Sequence, residues 1–96
     1  MSVITTINPA TGEQLETYPL HDEAKVFATI EAAQAAYLDW RHKSHEERAP
    51  FLRKIAATLR DNADKFADLM TREMGKLLRD GKMEVELCAR IFEYTA

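Results

Sequence analysis

One stretch restricts the fold more than any other. Between residues 62 and 76 the chain reads Asn-Ala-Asp-Lys-Phe-Ala-Asp-Leu-Met-Thr-Arg-Glu-Met-Gly-Lys, a helix with both ends marked. Asn62 or Asp64 can cap the first turn by accepting backbone N–H bonds that have no partner inside the helix. Phe66, Leu69, Met70 and Met74 recur at steps of three and four and form one apolar stripe. Gly75 follows the last apolar position, where the chain can turn through left-handed dihedrals, and Lys76 suits the negative end of the helix dipole. A helix over 63–75 is expected, and the other segments arrange themselves around it.

Before it, Val3 to Ile7 is β-branched throughout, which favours an extended strand. Asn8-Pro9-Ala10-Thr11-Gly12 breaks that strand: Pro9 presets φ, Asn8 can bond the backbone ahead of it, and Gly12 can take a positive φ. A return strand from Gln14 to Pro19 completes a hairpin over 3–19, too small to be stable alone. Asp22 is a good N-cap for a helix over 23–41, whose Val26, Ile30, Ala33, Tyr37 and Trp40 share a face. Ser44 and Glu47 have capping-box spacing, which starts a second helix over 45–60 with Pro50 near its first turn. Leu52, Ile55, Ala56 and Leu59 carry its stripe. After Gly75 a fourth helix is expected over 79–96, with Val85, Cys88, Ile91, Phe92 and Thr95 facing inward. Nothing in the sequence at Ala96 signals a stop, so the chain reads as cut off rather than finished.

Composition narrows the classes. Of 96 residues, 46% are hydrophobic and 30% charged, so the chain has the means to bury a core. Size scaling gives a compact chain of this length a surface of roughly 5,600 Å². The net charge is −3 and no basic stripe is present, which argues against nucleic acid as a partner. No apolar run approaches the roughly 20 residues that span a bilayer, and the first residues lack the pattern of a secretory signal. A single cysteine leaves no internal disulfide and fits a reducing compartment, so a cytoplasmic location is expected.

Several residues invite a chemical reading and lose it. Cys88 falls mid-helix between Val85 and Phe92 with no nearby histidine, so a buried packing role is expected, and Cys88→Ser should cost stability. His42 and His45 with Glu46 and Glu47 straddle a helix junction instead of sharing a face, which suits exposed polar residues better than a metal site. His21 stands alone. Gly75-Lys76 has the ending of a phosphate-binding loop, but no glycine stands five residues earlier and no strand precedes it. Gly12 belongs to a turn, and no Gly-x-Gly-x-x-Gly occurs. Glu73, Glu84 and Glu86 lack the second buried carboxylate or cleft that acid–base work needs. Met70, Met74 and Met83 read as core filler, and Trp40 as an anchor. No catalytic, cofactor-binding or metal-binding residue is assigned.

The segments taken together resemble the opening of an aldehyde dehydrogenase subunit. The match starts with Ile7-Asn8-Pro9-Ala10-Thr11-Gly12-Glu13 and runs through Ala33, Ala36, Trp40, Arg48, Leu52, Ile55 and Leu59. It continues through Thr71-Arg72-Glu73-Met74-Gly75-Lys76 to Glu84-Val85. The form Thr-Arg-Glu-Met-Gly-Lys is most similar to the succinate-semialdehyde dehydrogenase branch. Many relatives carry proline where this chain has Leu77, so the helix break here rests on Gly75.

The resemblance implies an α/β parent fold in which residues 1–96 are the N-terminal part of the cofactor-binding domain, a hairpin followed by about four amphipathic helices. It also implies oxidation of an aldehyde to a carboxylate with NAD or NADP, using a cysteine nucleophile, a glutamate base and oxyanion donors that all lie downstream. No position here matches those motifs, so Cys88 does not inherit the nucleophile's role and the segment alone should be inactive. The implied partners are the remainder of the subunit, a small aldehyde and a homo-oligomer of two or four copies. The alternative reading is a stand-alone helical module whose stripes dock a partner helix.

Overall fold

The computed structural model describes residues 2–96. Its element order is β1 (Val3–Ile7), β2 (Gln14–Pro19), α1 (Glu23–Trp40), α2 (His45–Asp61), α3 (Ala63–Met74) and α4 (Leu78–Thr95). The two strands pair antiparallel, Thr5 opposite Thr17 and Ile7 opposite Gln14, so β2 carries one extra residue in a bulge. Their turn is built as the sequence predicts: Ala10 N donates to Asn8 Oδ1 at 2.9 Å, and Gly12, with φ +74°, donates to Asn8 O.

Helix ends follow their capping residues with two exceptions. Asp22 Oδ1 accepts from Lys25 N at 2.8 Å, and Ser44 Oγ accepts from Glu47 N at 3.2 Å. Asn62 does not cap α3 with its side chain. Its amide Nδ2 instead donates to Thr58 O at 2.8 Å, satisfying a carbonyl at the end of α2. With one residue between two helices, the exposed carbonyls of α2 compete with the exposed N–H groups of α3, and the carbonyls win. The second exception is the α3–α4 break. Gly75 takes φ +71° as expected, and Leu77 has ψ 137° and φ −60°, the φ that a proline ring would fix. The break is thus made without proline, and α4 starts at Leu78, one residue before the expected position.

α4 packs against both α2 and α3, forming a helix trio. Its interior is Ala49, Ala56, Ala67, Val85 and Ala89, with Gly81 also buried. A Cβ on Gly81 would lie 3.2 Å from both Cα and Cβ of Ala67, so the α3–α4 crossing is about as close as helices can come. The inward face expected for α4 holds at Val85 and fails elsewhere: Gly81 and Ala89 are the other buried positions, whereas Phe92 is half-buried and Cys88, Ile91 and Thr95 are exposed. The stripe of α3 is corrected likewise, because Ala67 is buried while Leu69 and Met74 stand in solvent, Met74 with 79% of its surface accessible.

α1 corrects the expectation of an amphipathic helix with a packed side. No residue of α1 is buried. Charged residues occupy only Glu23, Lys25, Glu31 and Asp39, spread around the axis, so the helix is apolar over most of its circumference. That composition belongs to helices covered on more than one side. Its link to the trio is an edge-to-face contact between Trp40 and Phe51, ring centroids 5.1 Å apart. The hairpin touches the C-terminal end of α3, where a Cβ on Gly75 would sit 3.3 Å from Pro9 Cγ. The outcome is a flat body of 49 × 37 × 14 Å with a radius of gyration of 17.4 Å, against roughly 12.5 Å for a compact domain of this length. Its accessible surface is 7738 Å², well above the compact expectation of roughly 5,600 Å².

Candidate functional site

Of the polar groups that the sequence brings forward, Lys76, Glu84 and Glu86 are drawn into ion pairs, and Glu73 is not. Arg60 on α2 reaches two carboxylates of α4. Its Nε donates to Glu86 Oε2 at 3.0 Å, its Nη2 to Glu86 Oε1 at 3.1 Å, and its Nη1 pairs with Glu93. Hydrogen bonding to the guanidinium holds both carboxyls below their usual range and raises Arg60 itself. Lys76 Nζ lies 2.8 Å from Glu84 Oε2, and that bond raises the Lys76 ammonium. The Gly75-Lys76 pair therefore closes a helix and clasps α4, and its ammonium is already engaged by a carboxylate.

The remaining candidates do not converge. Cys88 is exposed, contrary to the buried packing role, and lines an open apolar cavity of about 300 Å³ with Leu59, Phe66, Leu69, Met70 and Val85. The stability cost expected of Cys88→Ser loses its basis in this chain. An adjoining cavity of about 330 Å³ shares Leu59 and Phe66 and adds Phe51 and Ile55, so the two form one greasy trough across the trio. His45 and Glu46 border a separate hollow with Ala49 and Arg53, and His21 and His42 are exposed. Among the described residues no group of three or more His, Cys, Asp or Glu could hold a metal ion. Among the described residues no helix is long and apolar enough to cross a membrane.

The glycines do not fit a dinucleotide either. Where a Cβ is missing at Gly75 and Gly81 the space is filled by Pro9 and Ala67, and Gly12 stands on an open turn. A pyrophosphate needs bare backbone facing a helix N-terminus, which these positions do not offer. No step of a redox reaction is derived through these residues. What the surface can do is dock: a broad apolar face with ionic clasps behind it.

Comparison with known proteins gives the family. The family described as "Aldehyde dehydrogenase family" matches residues 1–96. The chain belongs to the aldehyde dehydrogenase family. Among its relatives, the succinate-semialdehyde dehydrogenase [NADP(+)] of Deinococcus radiodurans is 44% identical over 89 residues, covering 93% of this chain and 19% of the relative. A crystal structure of succinic semialdehyde dehydrogenase from Streptococcus pyogenes, in complex with NADP+, superposes with a TM-score of 0.86 at 40% identity, covering 94% of this chain and 20% of that one. An aldehyde dehydrogenase from Brucella melitensis superposes at 0.92 with 35% identity, covering 97% of this chain and 19% of that one. The chain thus spans about a fifth of the length of the relatives it matches. The hairpin-plus-four-helix order belongs to an aldehyde dehydrogenase-like fold.

Proposed function

We propose that these 96 residues are the N-terminal part of the cofactor-binding domain of an aldehyde dehydrogenase subunit that oxidises succinate semialdehyde to the dicarboxylic acid. The observation that carries this is α1. The helix has no buried residue within the chain, yet its placement is shared with solved family members at TM-scores of 0.86 and above. A position kept without internal packing is held by a surface outside the segment. NADP is the cofactor favoured, because the relatives at 39–44% identity carry NADP(+) in their names. In this reading the nucleophile, the base, the oxyanion donors and the cofactor sheet lie in the rest of the subunit. The segment supplies outer wrapping, the enzyme works as a homo-oligomer in the cytoplasm, and the segment alone is inactive.

The test is direct. The purified segment should give no saturable NADPH production with succinate semialdehyde, and the full-length subunit should give it. Turnover by a mass-verified 96-residue chain would overturn the reading, as would a full-length protein that reduces neither NADP+ nor NAD+ with any short semialdehyde.

A further inference from the structure

We draw no further inference here: the strongest candidate, the open apolar trough across α2, α3 and α4 lined by Leu59, Phe66, Leu69 and the exposed Cys88, is an unpartnered face, and nothing in the structure shows what covers it.

Discussion

The helix trio and α1 solve packing in opposite ways. Inside the trio the contact is made by small side chains, four alanines and one valine, and at Gly81 α4 meets Ala67 of α3 nearly backbone to backbone. α1 carries Val26, Phe27, Ile30, Tyr37 and Leu38, every one exposed. Small residues let two helices meet closely but contribute little apolar area, whereas large ones contribute area only once something covers them. The trio is thus a thin, self-sufficient clasp reinforced by Arg60 and Lys76, and α1 is a helix in waiting. The outer stripes of α2 and α3 belong with α1, because they too present Phe51, Ile55 and Leu69 to solvent.

The contrast breaks most sharply at Ile30. In the isolated chain Ile30→Ala should change stability by less than about 0.5 kcal/mol, whereas in the full-length subunit it should cost about 2–5 kcal/mol. Urea unfolding of both forms measures it, and an equal loss in the two would mean that α1 folds back on the trio in solution. Ala67→Leu is the converse. Overpacking the contact with Gly81 should cost about 1–3 kcal/mol in either form, read from the urea midpoint. A neutral result would mean that the α3–α4 crossing can widen freely.

Smaller effects sharpen the picture of the clasp. Leu77→Pro should stabilise by about 0.4–1 kcal/mol, because φ is already −60° and the Leu77 N–H donates no backbone bond among the described residues. A lowered melting midpoint would show that Lys76 cannot adopt the conformation proline demands of its predecessor. The least effect belongs to the Arg60 cluster. Glu86 and Glu93 have folded pKa values below the ordinary 4.5, so their contribution is present above that pH and fades as pH falls through the lowered values. Both are exposed and screened by salt. Melting between pH 7 and pH 3 should therefore show a slightly weaker acid dependence in an E86Q/E93Q variant than in wild type, and identical profiles would remove the pair from the stability of the trio.

Much of this was legible in the residues themselves. Local chemistry decides where helices start and stop, and Asp22, Ser44, Gly75 and the Asn8–Gly12 turn act as their types dictate. The spacing of family blocks from Ile7 to Val85 carried the relationship that the comparisons bear out. Asn62 misled because two helix ends share one residue, and only their relative placement selects which end its amide serves.

The inward faces were the largest failure, and the reason is physical. Periodicity marks which residues want to leave water but not which surface receives them, because bulk apolar side chains gain the same from any cover. The sequence by itself determined the elements, most of their caps and the family. The tertiary structure decided that alanine and glycine meet inside the trio while the heavier stripes face out, since only the distance between two backbones reveals whether a Cβ can fit between them.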